Sequence, residues 1–267
     1  MYGFRYQRPA AIAAAREAFQ QAQDGQFLAG GQTLLPVMKQ RLANPSDLID
    51  LAGIGELRGI SIADQVITIG AMTTHAQVAA ADDVRLAIPA LAALAGCIGD
   101  PHIRNRGTLG GSIANNDPAA DYPAAIVALG ATVHTDQRQI AGDEFFTGFF
   151  ETALHEGELI TRVEFPVPVS SSYEKFENSA SRYAVVGVFV SRGPLGVRVA
   201  VTGAGPCVFR MPELEAELTR NFTPGVIERF PVAAADCNVD LHASAEYRAH
   251  LVGVMAARAV AAISGGE

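Results

Sequence analysis

Gly107-Thr108-Leu109-Gly110-Gly111-Ser112-Ile113-Ala114-Asn115-Asn116-Asp117-Pro118-Ala119-Ala120-Asp121-Tyr122-Pro123-Ala124 is the stretch around which this chain is organised. A strand-like approach gives way to paired glycines with hydroxyls on both sides, then two asparagines and two aspartates. An apolar helical run from Ala124 to Leu129 follows. Paired glycines let backbone amides turn inward and meet a ligand closely, because no Cβ stands in the way. Successive inward amides form an anion-binding nest, and a helix start adds its positive end. Further upstream the pattern recurs: Ala29-Gly30-Gly31-Gln32-Thr33-Leu34 follows the apolar pair Phe27-Leu28 and leads into a helical run. Two such cradles suit a diphosphate, which needs donors on both sides.

The rest of the composition is that of an ordinary globular protein. The 267 residues are 49% apolar and 18% charged, enough for two or three small domains with real cores. A net charge of −8 with no basic cluster argues against a nucleic-acid partner. Arg5 and Arg8 are followed by no apolar run of signal-peptide type, and the Leu86 to Gly99 stretch is too short to span a bilayer. A soluble, cytoplasmic protein without a membrane span is expected. Cys97, Cys207 and Cys237 lie far apart with no Cys-x-x-Cys, so they read as free thiols rather than ligands of a cluster or zinc ion. No metal site is expected on this chain.

Taken in order, Ala10 to Gln23 reads as a helix, Gln26 to Leu28 as a strand into the first cradle, and Leu34 to Arg41 as a helix with Pro36 in its first turn. Leu48 to Leu51 closes a small α/β unit. Leu57 to Ile62 and Val66 to Ile69 read as a hairpin, Thr74 as the cap of a helix over His75 to Ala80, and Ala87 to Ala95 as a second helix. Asp121 is placed to cap the helix ending at Gly130. Ala131 to Thr135 and Leu159 to Phe165 are strands around a Phe-rich connection. Pro166 to Ser172 reads as a boundary, followed by strands at Ala184 to Ser191 and Val197 to Thr202. Helices follow at Glu213 to Arg220, Thr223 to Phe230 and Glu246 to Ile263, the last with Tyr247, Leu251, Val254 and Met255 on one side. The fold class expected is α+β: two small α/β subdomains at residues 1–53 and 54–170, then antiparallel sheet plus helices at residues 171–267.

The paired cradles, with Asn116-Asp117-Pro118-Ala119-Ala120-Asp121-Tyr122-Pro123-Ala124 after the second, resemble the FAD-binding medium subunit of molybdenum hydroxylases. That family includes carbon monoxide dehydrogenase and xanthine dehydrogenase. Asn44 to Leu51, Glu158 to Thr161, Ala180 to Ala184 and Asp240 to Arg248 are similar to family segments. The resemblance implies a two-part FAD-binding region and a C-terminal domain. It implies that Phe27, Leu28, Ala29, Gly30, Gly31, Gln32, Thr33 and Leu34, with Thr108, Leu109, Gly110, Gly111 and Ser112, hold the FAD pyrophosphate. Asp121 matches a flavin-contacting acid, Asp117 is a further contact, Ile98 and Ile160 fall near the cofactor, and Lys175 and Tyr183 lie where the C-terminal domain approaches the isoalloxazine. Gln32 and Thr33 stand where the family commonly has His or Thr and Ser, and hydrogen-bonding ability is kept. The extra cysteine-rich insertion of one related branch is absent.

The implied role is electron transfer. A large partner would hold a molybdenum–pterin site, a small partner two [2Fe–2S] clusters, and this chain's FAD would pass electrons to an external acceptor, within a dimer of heterotrimers. No residue is assigned as catalytic, because flavin electron transfer does not demand a protein base. Two other readings stand beside this one: a self-sufficient FAD-dependent oxidoreductase and a non-redox nucleotide-binding module. Residue by residue, simpler roles also stand. The glycines make turns, Asp121 caps a helix, Asp117 is a turn residue, His102 is a structural hydrogen-bonder, Arg104 and Arg106 are surface charge, and Tyr183 fills a core.

Overall fold

The computed structural model describes residues 1–265. A three-stranded parallel sheet opens the chain, with Asp47–Asp50 between Arg5–Gln7 and Gly25–Leu28. Leu48 and Ile49 are fully enclosed at its centre, and helix Ile12–Gln21 packs Ala15 and Ala18 against it. This helix is shorter at both ends than its sequence pattern suggested. Strand Gly25–Leu28 runs into the first cradle and helix Leu34–Lys39. The cradle therefore sits beyond the carboxyl end of a parallel strand, the usual ligand position in such sheets.

A five-stranded antiparallel sheet follows, ordered Ile60–Ala63, Val66–Gly70, Ile160–Pro166, Thr132–Thr135, Gln139–Ala141. Thr74 caps helix His75–Ala80 through a complete capping box with Gln77. The expected Ala87 to Ala95 helix is Pro89–Gly96, preceded by a separate helix Asp82–Ala87, because the chain cannot stay helical into Pro89.

The C-terminal sheet is ordered Ser170–Glu177, Ala184–Gly193, Gly196–Thr202, Phe209–Arg210. Its first strand begins inside the stretch read as a boundary, so Ser170 to Ser172 are sheet, not linker. The Val185 to Val190 run is continuously apolar because both faces are covered. Val186, Val188 and Val190 face helix Ala245–Ser264, while Phe189 joins the core of the preceding sheet. Between the two antiparallel sheets lies helix Tyr122–Leu129, every residue of which is buried. A helix apolar all round requires such a double-sided site. On helix Ala245–Ser264, Leu251 and Met255 are buried as expected, but Tyr247 is exposed and Arg248 is buried. The Thr223 to Phe230 helix is a 3-10 segment, Pro224–Arg229.

Candidate functional site: a cleft between two glycine cradles

The first cradle leaves its amides free. Gly31 adopts φ +70°, turning the chain into helix Leu34–Lys39. The successive N–H groups of Gly30, Gly31, Gln32, Thr33 and Leu34 donate to no protein acceptor among the described residues. The run opens helix Leu34–Lys39, where free amides are the rule, and it offers an anion several donors in succession.

The second cradle is built differently from its sequence reading. Gly110 and Gly111 lie in the first turn of helix Leu109–Asn115, not in a strand-to-loop turn. Its opening amides are consumed: Leu109 donates to the Thr73 carbonyl at 3.1 Å, Gly110 to the Ala71 carbonyl at 2.8 Å, and Gly111 to the Thr108 hydroxyl at 3.1 Å. What this cradle offers a ligand is therefore hydroxyl, not amide. Thr108 still has its own proton to donate, and Ser112 presents a second hydroxyl. The cradles touch, because a Cβ on Gly30 would fall on the Arg106 carbonyl and one on Gly111 would stand 3.1 Å from the Ala29 Cβ.

Both cradles wall one open cleft of about 440 Å³, within the range of cofactor sites. Phe27, Ala29, Gly30, Gly31, Gln32, Thr33, Leu34, Ile98, Thr108, Gly110, Gly111, Ser112, Asp117, Asp121, Ile160 and Tyr183 line it. Leu28, Leu109 and Lys175 do not. Leu109 is fully buried in the core and Leu28 packs beneath Gly31. Sequence reading missed Met72, His75, Ile103, Leu159, Ser181 and Arg182 on this wall. Ser181 and Arg182 adjoin Tyr183 in an already singled-out segment, whereas nothing local to Met72 or His75 points to a ligand.

Asp121 is a buried acid of the cleft, and its side chain caps nothing. Its backbone is already helical and its side chain makes no cap bond. Instead Tyr173 Oη donates to Oδ1 at 2.6 Å and Lys175 Nζ donates to the same oxygen at 2.9 Å. A charged partner outcompetes a backbone N–H. Lys175 thus stands behind Asp121, outside the cleft, and also donates to the Cys97 carbonyl. Burial pushes the Asp121 carboxyl up, against the pull of Lys175 and the Tyr173 hydroxyl. Asp117 is likewise raised by burial, with Oδ1 accepting the Ala119 amide as an Asx turn.

Burial, with Arg104 nearby, pushes the His75 imidazole down to about 4, and its Nδ1 is buried without a partner. Neutral across the ordinary pH range, it is a poor general base. Arg104 is half-buried rather than surface charge, donating to the Ile98 and Gly99 carbonyls at 3.1 and 2.7 Å and so fixing that edge of the cleft. His102 and Arg106 stay exposed, and neither lines the cleft.

A cleft with an unpaired amide run, two hydroxyls and a buried carboxylate has the donors and the acceptor that a phosphate-bearing cofactor needs. Residues 2–168 match the family model described as the FAD binding domain in molybdopterin dehydrogenase, and the chain belongs to that family. It is 33% identical to the carbon monoxide dehydrogenase medium chain of Hydrogenophaga pseudoflava, covering 96% of each chain. It is 36% identical to the nicotine 6-hydroxylase medium subunit of Paenarthrobacter nicotinovorans, covering 93% of each. The fold superimposes on a chain of reconstituted CO dehydrogenase from Oligotropha carboxidovorans with TM-score 0.92 and 32% identity, over 99% of this chain and 98% of that one. The cofactor of the family is FAD, and the unpaired amides of Gly30 to Leu34 fit its diphosphate. Among the described residues no helix is long and apolar enough to cross a membrane.

Proposed function

We propose that this chain is the electron-transfer subunit of a molybdenum-containing hydroxylase complex. Electrons released at a molybdenum–pterin site on a large partner would travel through two [2Fe–2S] clusters of a small partner, reach this chain, and leave to an external acceptor. Bound FAD supplies the redox chemistry, while the protein supplies position and electrostatics. The medium-chain and medium-subunit names of the relatives support a multi-chain assembly, which we read as a dimer of heterotrimers.

The residues divide the work by charge. The amides of Gly30 to Leu34 hold the diphosphate, with the Thr108 and Ser112 hydroxyls completing the other side. Asp121 repels phosphate, so it takes a hydroxyl or N–H of the cofactor instead. Ile98, Leu159 and Ile160 supply apolar wall, and Tyr183, 45% exposed, stands at the rim.

The observation that carries this reading is the five-amide run in a cleft whose one histidine is held neutral, with its Nδ1 unpartnered. Such a site suits a cofactor, and its histidine is no general base for substrate chemistry. The test is anaerobic reduction of the FAD-loaded chain. Bleaching of the flavin on addition of the reduced iron–sulfur partner is expected, with none on addition of organic substrates alone. Bleaching by such a substrate without partners would make the chain a self-sufficient oxidoreductase. A folded chain that binds adenine nucleotides but no flavin would make it a non-redox module.

A further inference from the structure

Lys175 and Tyr173 are two residues apart on strand Ser170–Glu177, so their side chains leave the same face of the sheet. Both reach across to Asp121 Oδ1, at 2.9 and 2.6 Å, and Lys175 also ties down the Cys97 carbonyl at 3.0 Å. The Lys175 and Asp121 side chains are only 5% and 4% exposed. The strand belongs to the C-terminal sheet, while Asp121 and Cys97 belong to the part of the chain that carries the cradles. Gly187 pairs with Lys175 on the neighbouring strand, and a Cβ there would collide with the Tyr173 hydroxyl. Ring packing on Phe189, with centroids 6.1 Å apart, holds Tyr173 in that slot. The room for the hydroxyl is thus built into the sheet.

We propose that Tyr173 and Lys175 are positioning residues through which the C-terminal domain holds Asp121 as a charge-compensated, acceptor-only carboxylate on the wall of the FAD cleft. This rests on the FAD reading above. A buried carboxylate without its counter-charge neutralises by taking a proton, and it then changes from acceptor to donor. Lys175 opposes that switch. Removing the ammonium therefore moves the ionisation of a carboxyl at the cofactor's side further up in pH. The titratable groups facing Asp121 are Lys175 and Tyr173 from the strand, the Cys97 thiol, Tyr122 on its own helix and Tyr183 at the rim. Burial raises the Cys97 thiol to about 11 and raises all three tyrosines, so none of these titrates in the window used below. Asp117 is common to wild type and variants and cancels in the comparison.

The test is FAD affinity and the oxidised flavin spectrum of the full chain from about pH 5 to pH 9, in the range where a desolvated carboxyl titrates. In Lys175→Met, a one-proton transition of about tenfold in the FAD dissociation constant is expected over that range, equivalent to one unit of pKa linkage. A matching change in the flavin band is expected, and in wild type the Asp121 transition lies at lower pH than in the variant. In the D121N/K175M double variant the transition disappears, and in Lys175→Arg the wild-type profile returns. Gly187→Ala, whose Cβ meets the Tyr173 hydroxyl first and the Thr202 methyl at 3.0 Å, gives a smaller transition of the same kind. A K175M profile that tracks wild type, or one that persists with Asp121→Asn, overturns the proposal. If K175M fails to fold, Tyr173→Phe alone and with D121N is read by the same criteria. Failure of wild type to bind FAD at any pH would instead defeat the underlying FAD reading.

Discussion

The carbonyl of Arg106 occupies the place where a side chain on Gly30 would begin. The two cradles are thereby joined backbone to backbone, and the distance between the free amides on one side and the hydroxyls on the other is set by a missing Cβ. Gly30→Val should pry them apart. Overpacking of this kind costs about 1–3 kcal/mol, so a lowered Tm and at least about tenfold weaker FAD binding are expected. Gly55→Ala, where a Cβ meets nothing, should stay within about 0.5 kcal/mol of wild type. Equal effects from the two variants would show that the contact does not hold the cleft together.

Charge in the first cradle gives a second check. Gln32 lines the cleft and donates to the Gly30 carbonyl at 3.2 Å. Gln32→Glu removes that donor and brings a negative charge to a site meant for phosphate. FAD binding should weaken by roughly tenfold at low salt and recover partly as ionic strength rises. A titration by flavin fluorescence at two salt concentrations measures both parts. An unchanged affinity would move the diphosphate away from Gln32.

Glu158 links cleft and stability through pH. Its side chain is fully buried; burial raises its pKa, but the Arg138 guanidinium, the His155 amide and the Thr135 hydroxyl outweigh burial and hold it at about 2. A carboxyl with a folded pKa below its unfolded value stabilises the protein fully above about pH 4.5 and loses that contribution as pH falls towards 2. Arg138→Ala should flatten this part of the acid-unfolding curve and cost about 1–3 kcal/mol at neutral pH. Urea unfolding at several pH values reads the difference. A parallel curve for wild type and variant would contradict the assignment.

Arg198 is buried and donates through Nε and Nη2 to the Val127 carbonyl at 3.0 and 2.7 Å, while Ser191 donates to the Ala128 carbonyl at 2.6 Å. The C-terminal sheet thus clasps the carboxyl end of helix Tyr122–Leu129, where a positive charge also meets the negative end of the helix. Arg198→Leu leaves the buried Val127 carbonyl without its cationic donor, and Asp143 with Arg210 alone, and about 2–4 kcal/mol of stability should be lost. Because that helix begins directly after Asp121, FAD affinity should fall with it. A loss under about 0.5 kcal/mol in chemical denaturation would show that the clasp is dispensable.

The cradles are legible in the sequence because their signal is local: Gly-Gly with a hydroxyl one or two residues on, at the end of a strand or the start of a helix. What each cradle offers is not. Gly110 and Leu109 spend their amides on the carbonyls of Ala71 and Thr73, which a distant part of the chain brings in. Asp121 looks like a helix cap to any local reading, and only strand register shows that Tyr173 and Lys175 claim it. Ser170, Ser171 and Ser172 look like a linker, yet pairing with Arg192, Ser191 and Val190 makes them sheet. Tyr247 follows the apolar stripe of its helix in sequence. Arg248 is buried instead, because the carbonyls of Val185 and Gly203 and the carboxylate of Asp240 satisfy its guanidinium.

The most direct measurement is the absorption spectrum of the purified full-length chain, with its released cofactor identified by chromatography. FAD released without covalent attachment, in stoichiometric amount or after reconstitution with added FAD, is the expected result. A folded chain that carries no flavin and takes up none when FAD is added would contradict the assignment of the cleft, and with it the electron-transfer role.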